Sequence, residues 1–463
     1  MTTQNLDQLP NPRWRLLLGL TVGLSLAALP ATAATITVGG SGAAAPTLSV
    51  GISMAADGDS VLVHPGTYYE IINTTKSLFL IADGTAGSVV LDGNSFGTVL
   101  KFTGVTGDIW IEGFQINNGL ASRGAGVQFD NVSGIATFQT CWFSGNIASE
   151  SGGAIDCTQS DLTFNDCVFE SNWTDGGAGD KGGAVAVRDG ATALFARCWF
   201  RDNQSTLGGA IYASAPVTQV QECNFVNNDA VRGGSLYAIN QVGCVIADTV
   251  FELSDGDEYG GALFLGGSGI EVMSCTFEAN SCSGGTGGAI YFGSGSGATV
   301  SGSVFYGNSA TNGGALAGAP ALGHVHHNTF YDNSATGEGA HLYCNKSSPT
   351  IEQNIFSDAS GTAAVGAAAP AAPTFSCNDF WNNGAGDVSD LDDPMGLDGN
   401  FSEDPLFCDA PDEEFTIDAA SSCNLDNTPS ECSGEGHIGA FGPLCGASRV
   451  ENSTWGGIKA RWQ

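Results

Sequence analysis

The stretch CWFSGNIASESGGAI, residues 141–155, contains two short motifs that recur along the chain. The first motif is Cys-x-Phe-x-x-Asn, and the second is Gly-Gly-Ala followed by an aliphatic residue. Related stretches begin at Cys167, Cys198, Cys223, Cys275, Ser303 and Asn328. A unit that recurs this often predicts a repeat architecture, in which each unit packs only on its neighbours.

The phenylalanine of the first motif measures the length of the repeat. Copies between Phe143 and Phe380 are 24 to 31 residues apart. A variable period of this length suits one turn of a β-solenoid, because the loops between strands absorb insertions. The composition agrees, since 67 of the 463 residues are Gly, 13% are charged and 42% are hydrophobic. The sequence therefore predicts an all-β solenoid.

Alternation along a strand predicts which side chains point inward. The Cys and the Phe of the motif are two residues apart and share a face. That face must be the interior, because a column of exposed Phe would promote aggregation. The Asn that follows tolerates turn dihedrals and can bond to the backbone or to the Asn of the next coil. These structural residues are Phe143, Phe169, Phe200, Phe225, Phe277, Asn146, Asn172, Asn203, Asn228 and Asn280.

The paired F-x-x-N and G-G-A-[ILV] motifs resemble the repeats of chlamydial-type polymorphic outer-membrane proteins, in the right-handed parallel β-helix, or pectin-lyase-like, group. The stretch SMAADGDSVLVHPGTYYE, residues 53–70, resembles the first coil of bacterial β-helix proteins. DPLF, residues 404–407, and HIGAF, residues 437–441, resemble their closing segment. The resemblance implies a single-stranded right-handed parallel β-helix over residues 34–400, with a short capping helix near residues 45–56. It leaves function open, because lyases, hydrolases, adhesins and inert stalks share this fold.

The N-terminal residues have the composition of a secretory signal peptide. Arg13 and Arg15 precede an apolar run from Leu16 to Leu29, and Ala31-Thr32-Ala33 provides a cleavage site. We therefore predict a signal peptide over residues 1–33, no later integral membrane segment, and a secreted or cell-surface protein. The formal net charge of −34 argues against nucleic acid as a partner.

The fourteen cysteines fall into a repeat set and a late cluster. We expect the late cluster to form two disulfides in any of three connectivities, within a Cys-rich C-terminal cap over residues 401–447. The members of the late cluster are Cys408, Cys423, Cys432 and Cys445. The tail over residues 448–463 is locally basic and is either a frayed terminus or a sorting tag.

Outward-facing residues beside the Phe column are the first candidates for chemistry. Glu252 and Glu278 should lie on adjacent coils, about 4.8 Å apart. Retaining glycosidases use two carboxyl groups about 5–5.5 Å apart, which makes this pair a catalytic candidate. Arg201, one coil above Glu170, is a third candidate because lyases need a base. The alternatives are a solvated acidic strip and an ordinary ion pair.

Two further groups of residues are candidates for binding a ligand. Asp255, Asp257 and Glu258 offer oxygen ligands for Ca²⁺, the one cofactor that the sequence suggests, although a solvated acidic strip is the alternative. The aromatic residues Tyr306, Tyr331 and Trp381 form a stripe that could stack on sugar rings or stabilise the sheet by cross-strand pairing.

These features favour a non-catalytic, monomeric surface protein that uses its long face for adhesion or for contact with a polysaccharide or another cell-surface component. A carbohydrate-active enzyme of the pectin-lyase-like group, either a polysaccharide lyase or a glycoside hydrolase, is the alternative. A structural spacer is the third possibility.

Overall fold

The computed structural model describes residues 33–432, 437–443 and 445. The predicted signal peptide, except for residue 33, and the predicted tail lie outside these residues. The described chain winds through four parallel sheets of 14, 13, 9 and 13 strands, and ends in a short antiparallel hairpin. The protein is an all-β parallel solenoid of about 14 turns, as the repeat predicted.

Neighbouring strands of a sheet lie one coil apart, and we number the sheets in the order in which a coil visits them. The first sheet contains Thr35–Val38, Ser60–Val63, Phe79–Ala82, Ile109–Glu112, Ile135–Gln139, Asp161–Asn165, Ala193–Ala196, Thr218–Gln221, Val245–Ala247, Glu271–Met273, Ala298–Ser301, Leu322–His326, Thr350–Glu352 and Thr374–Ser376. The second sheet contains Gly66–Tyr68, Val89–Asp92, Phe114–Asn117, Trp142–Ser144, Val168–Glu170, Trp199–Arg201, Asn224–Val226, Val250–Glu252, Thr276–Glu278, Val304–Tyr306, Thr329–Tyr331, Ile355–Ser357 and Asp379–Trp381.

The third sheet is shorter and is missing from the first and last coils of the described chain. It contains Leu120–Arg123, Ile147–Ser151, Trp173–Thr174, Gln204–Leu207, Asp229–Arg232, Asp255–Tyr259, Ser281–Thr286, Ser309–Asn312 and Ser334–Ala335. The fourth sheet contains Ile72–Thr74, Leu100–Thr103, Val127–Asp130, Ile155–Thr158, Val185–Arg188, Ile211–Ser214, Leu236–Val242, Leu263–Ser268, Ile290–Ser296, Leu316–Gly318, Leu342–Asn345, Val365–Ala368 and Val388–Ser389.

The Phe column forms the core beneath the second sheet. Phe143 pairs in register with Phe169, and Phe169 with Phe200. Ring centroids of neighbours along the column lie 4.6–5.0 Å apart, and every ring from Phe143 to Phe380 is fully buried. Burial of one such ring contributes roughly 1.5–3 kcal/mol, so the column is a major source of stability.

The Asn residues of the motif form a buried ladder beside the Phe column. Asn146 Nδ2 donates to Asn172 Oδ1 at 3.0 Å, and Asn172 Nδ2 donates to Asn203 Oδ1 at 3.1 Å. Each oxygen also accepts the backbone N–H of the Asn on the preceding coil, at 3.2 Å for Asn146. Because these buried amides find their partners on neighbouring coils, the ladder holds the coils in register.

A seven-residue α-helix, Leu48–Met54, lies within the range expected for an N-terminal cap. Thr47 begins it, because the Thr47 side chain accepts a hydrogen bond from the backbone N–H of Val50. Leu48 and Ile52 are buried on the side that meets the first two strands of the first sheet. That the helix closes the end of the solenoid stays a prediction. None of the described helices is long and apolar enough to cross a membrane.

The described part of the C-terminal segment, residues 401–432, 437–443 and 445, runs back along the outer face of the second sheet. Its hairpin pairs Phe407–Asp409 with Glu414–Ile417, and its two 3-10 helices are Ala410–Asp412 and Ser430–Cys432. The backbone N–H of Ala440 donates to Thr329 Oγ1 at 3.0 Å, across 111 residues of sequence. The segment therefore covers one side of the solenoid.

The disulfide Cys377–Cys432 joins this segment to the last coil, and the disulfide Cys408–Cys445 links two positions within the segment. The prediction that the four late cysteines pair among themselves is therefore wrong for Cys432 and Cys423. Cys432 meets Cys377 of the last coil, while Cys423 remains a buried thiol whose Sγ lies 3.3 Å from Asp379 Oδ2. The pairing follows from the way the segment folds back, because a disulfide needs two Cα atoms about 4.4–6.8 Å apart.

Candidate functional site

Glu252 and Glu278 occupy neighbouring strands of the second sheet, in direct register. They lie near Glu413, at the turn of the C-terminal hairpin. Burial raises the pKa of both carboxyl groups, and the charge of Glu413 raises both further. A hydrogen bond with Tyr306 works against that rise in the pKa of Glu278. The structure thus places the pair at the interface between sheet and C-terminal segment.

Arg201 lies apart from these two carboxylates. It is in register with Glu170, as alternation predicted, but its Nε forms a salt bridge to Asp202 Oδ2 at 3.0 Å. The strand that carries Val226 separates Arg201 from Glu252. Arg201 therefore lies two coils from Glu252 and three coils from Glu278 along the second sheet.

The predicted aromatic stripe is largely occupied by the protein itself. The ring centroid of Phe415, which is 3% exposed, lies 5.3 Å from that of Tyr306 and 5.4 Å from that of Tyr331. Trp381 lies two strands beyond Tyr331. Glycan contact by these three residues stays a prediction, and two of them already pack against the C-terminal segment.

The predicted calcium ligands lie on one strand of the third sheet. Glu258 Oε2 forms a salt bridge with Arg232 Nη2 at 2.6 Å. Asp255 Oδ1 accepts a hydrogen bond from Ser281 Oγ at 2.5 Å. Within the described residues, no three His, Cys, Asp or Glu side chains are arranged to hold a metal ion. Calcium binding by Asp255, Asp257 and Glu258 stays a prediction.

The Gly-Gly motif forms a tight corner between the third and fourth sheets. Gly208 adopts a left-handed φ of +65°, and a Cβ on Gly209 would lie 2.1 Å from the carbonyl oxygen of Gly234 on the next coil. Only glycine meets both demands without strain. Residues on either side of the corner approach each other, since Ser151 Oγ lies 2.6 Å from Asp156 Oδ2.

Two columns of side chains meet at this corner on successive coils, and we call the surface that they form the corner groove. One column comes from the ends of the third-sheet strands and consists of Arg123, Ser151, Lys181, Leu207, Arg232 and Tyr259. The other comes from the second residue of the fourth-sheet strands and consists of Gln128, Asp156, Ala186, Tyr212, Tyr237, Phe264 and Tyr291.

The second column contains four consecutive aromatic rings. Centroid distances are 5.6 Å from Tyr212 to Tyr237, 4.5 Å from Tyr237 to Phe264 and 5.4 Å from Phe264 to Tyr291. The sequence contained the signal, because GGAIY, GGSLY, GGALF and GGAIY each place an aromatic residue directly after the motif. The sequence-based prediction considered only the residues on either side of the repeat Phe, so it did not include this aromatic column.

A cavity of about 370 Å³ opens at the C-terminal end of these rings. Phe264, Tyr291, Tyr259 and Arg232 line it, with Pro320 from the next turn. The Arg232 guanidinium lies 5.5 Å from the centroid of the Tyr259 ring, a cation–π distance. Apolar faces with one convergent polar group are typical of small-molecule and sugar-sized sites.

A larger hollow, of about 640 Å³, lies beside the last coil. Its lining includes Asp390, Asp392, Asp393 and Asp398, together with Ala371 and Pro394. We favour the smaller cavity as the functional site, because it combines aromatic faces with a positioned guanidinium, whereas the larger hollow combines mainly carboxylates and loop residues.

An ion network occupies the opposite end of the corner groove. Asp156 is fully buried, and Arg188 Nη2 lies 2.8 Å from each of its carboxylate oxygens. Burial raises the pKa of Asp156, while Arg188 and Ser151 lower it. Arg123 connects Asp156, at 4.0 Å, to Asp130, at 3.9 Å, and Asp130 contacts Lys101 at 2.9 Å.

Comparison with known proteins agrees with this architecture. Residues 217–400 match the model described as a right handed beta helix region, and residues 143–158 match the Chlamydia polymorphic membrane protein repeat. No curated protein matches the sequence at a significant level.

Among solved structures, the chain is similar to a mannuronic acid specific polysaccharide family 6 lyase from human gut microbiota, with a TM-score of 0.43 and 14% identity over 81% of this chain and 85% of that one. It is also similar to the PL6 family alginate lyase AlyGC, with a TM-score of 0.42 and 13% identity over 77% of this chain. The chain spans about half of AlyGC, 52% of its length.

A third similar structure is the PL6 family polysaccharide lyase Pedsa3628 from Pseudopedobacter saltans, with a TM-score of 0.37 and 15% identity over 76% of this chain and 93% of that one. At these scores the similarity bears on neither activity nor ligand. The model matched over residues 217–400 and the sheet topology together show the fold, a right-handed parallel β-helix, and residues 143–158 match one repeat of the polymorphic membrane protein type.

Proposed function

We propose that this is an exported surface or extracellular protein that contacts a glycan through its corner groove and does not catalyse a reaction. The cavity beside Phe264 and Tyr291 carries the proposal, because aromatic faces there meet the guanidinium of Arg232. Aromatic rings stack on the apolar faces of sugars, and a guanidinium donates hydrogen bonds to hydroxyl or carboxylate oxygens.

Export and surface location are part of this proposal. The polymorphic membrane protein repeat at residues 143–158 and the two disulfides support it, since disulfides persist in oxidising compartments. The predicted signal peptide is consistent with the same location.

Retention of the purified protein on polysaccharides tests the proposal. We would measure the retardation of the protein in gels that contain neutral or acidic polysaccharides. The double variant Phe264→Ala/Tyr291→Ala should lose at least tenfold in affinity for any polymer that binds. Tyr343→Ala is the matched control, because Tyr343 belongs to the same column but lies beyond Ala317, two coils past Tyr291. The proposal would be refuted if no polymer retained the protein, or if Tyr343→Ala lost as much affinity as the double variant.

A carbohydrate-active enzyme is the second proposal, and the Glu252–Glu278 pair favours it. The two carboxyl groups are one coil apart, and burial raises the pKa of both, which suits the role of a general acid. New reducing ends or unsaturated products from any polymer, lost in Glu278→Gln, would establish this activity in place of simple binding. If the protein neither retains nor cleaves any polymer, the structural spacer remains.

A further inference from the structure

The ion network at the N-terminal end of the corner groove contains more cations than carboxylates. It comprises Lys101, Arg123 and Arg188 with Asp130 and Asp156. Lys181 joins it from the coil above Ser151, with its Nζ 5.5 Å from the centroid of the Tyr212 ring. Asp189 also acts on the Tyr212 hydroxyl, yet the group keeps an excess of positive charge in a chain of net charge −34.

This concentration of cations is unusual for the chain. The described residues contain nine Lys and Arg side chains; three of them belong to the ion network, and a fourth, Lys181, lies beside it against Tyr212. The side chains of Lys101, Arg123 and Arg188 are 31%, 33% and 17% exposed, so they are only partly screened by water. A local positive site of this kind can attract an anionic group although the whole surface is acidic.

Arg188 retains hydrogen-bonding capacity after its pairing with Asp156. Its Nη2 makes the contacts to both Asp156 oxygens, whereas its Nε is buried without a hydrogen-bond partner among the described residues. A guanidinium has five N–H donors, and an oxyanion commonly binds two of them at once. Because this Nε is buried, a ligand can meet Arg188 only through the exposed 17% of its side chain, beside the pair with Asp156.

We propose that the corner groove binds a glycan that carries an anionic group, and that Lys181 and Arg188 receive this group beside Tyr212. The inference rests on the proposed function and names the ligand class of the same groove. The cavity at Arg232, with Phe264 and Tyr291, holds the sugar units, because Tyr212 and Tyr237 are only 6% and 8% exposed. The ion network binds the anionic group that the sugar units carry. Because the contact is electrostatic, the affinity falls as salt is added.

The test uses three polymers with one backbone, namely dextran, carboxymethyl-dextran and dextran sulfate, with a chelator present to prevent bridging by calcium. The purified protein should bind a charged derivative at least tenfold more tightly than dextran at low salt. Carboxymethyl-dextran presents carboxylates and dextran sulfate presents sulfate esters, so the comparison shows which kind of anionic group the protein binds. Lys181→Gln should lower affinity for the charged polymer at least fivefold more than it lowers affinity for dextran.

Lys346→Gln is the control, because it removes the same charge outside the network. Lys181→Arg should restore binding, which a merely structural role of the amine would not require. An equal affinity for all three polymers, or an equal loss in Lys181→Gln and Lys346→Gln, overturns the inference. The proposed function then survives if a neutral polysaccharide is still retained through Phe264 and Tyr291, and it fails as well if none is.

Discussion

The outer face of the second sheet and the corner groove both present a column of aromatic side chains, but the C-terminal segment covers only the first of them. Tyr306 and Tyr331 pack against Phe415 of the C-terminal segment. Phe264 and Tyr291 instead border an open cavity. A regular outward column therefore does not by itself indicate a binding surface, because a distant part of the chain can cover it.

The largest expected effect on stability concerns the contact between the C-terminal segment and the second sheet. Phe415→Ala should lower the free energy of unfolding of the C-terminal segment by about 3–5 kcal/mol, since Phe415 is 3% exposed and packs between aromatic rings. Hydrogen exchange of residues 401–445 and chemical denaturation measure it. Phe441→Ala, at a side chain 41% exposed, should change stability by about 0.5 kcal/mol or less. Equal effects would show that Phe415 does not anchor the segment.

The covered face should also respond to pH. Burial raises the pKa of Asp379 to about 7, so the folded state holds a proton that the unfolded state has lost. This stabilisation is complete below the unfolded value near 3.8 and disappears as pH rises through about 7. The melting temperature should therefore fall as pH rises from about 4 to about 7, with a change in stability of at most about 4 kcal/mol across that window.

Asp379→Asn should flatten this pH profile. The amide keeps an oxygen that can accept the hydrogen bond from the backbone N–H of Glu403, which Asp379 Oδ1 accepts at 3.1 Å. Any slope that remains belongs to the other groups of raised pKa, including Glu252 and Glu278. Asp189→Asn, on an exposed turn, is the control. An unaltered slope in Asp379→Asn would contradict the assignment.

The next effect concerns the shape of the corner groove. Gly209→Ala should destabilise the protein by about 1–3 kcal/mol, because its Cβ would lie 2.1 Å from the carbonyl oxygen of Gly234. Gly266→Ala is the control, since the nearest atom to its Cβ is 3.5 Å away. Thermal unfolding of both variants compares them. A stable Gly209→Ala would mean that the coils can separate at the corner without cost.

The smallest effect on stability should come from the groove itself. Arg232→Gln removes a salt bridge whose partners are 40% and 49% exposed, so stability should fall by about 1 kcal/mol or less. Its affinity for a retained glycan should nevertheless fall, because Arg232 lines the cavity. Denaturation and gel retardation measure the two quantities on the same variant. A large loss of stability with unchanged affinity would reassign Arg232 to a structural role.

Much of the fold was predictable because it depends on local, repeated constraints. The Phe residues recur once per coil, and the Asn three positions later satisfies its amide on the next coil. A parallel solenoid is the arrangement that buries both columns at once. The aromatic column of the corner groove was equally readable in GGAIY and GGALF, although it was not predicted.

The sequence by itself thus determined the solenoid, its period and the faces of its strands, because these follow from contacts between neighbouring coils. The tertiary structure alone decided which face is covered and which cysteines pair. Ala440 reaches Thr329 across 111 residues, and Cys432 pairs with Cys377 across 55. Contacts at such separations have no period in the sequence, so they emerge only when the segment packs on the finished coils.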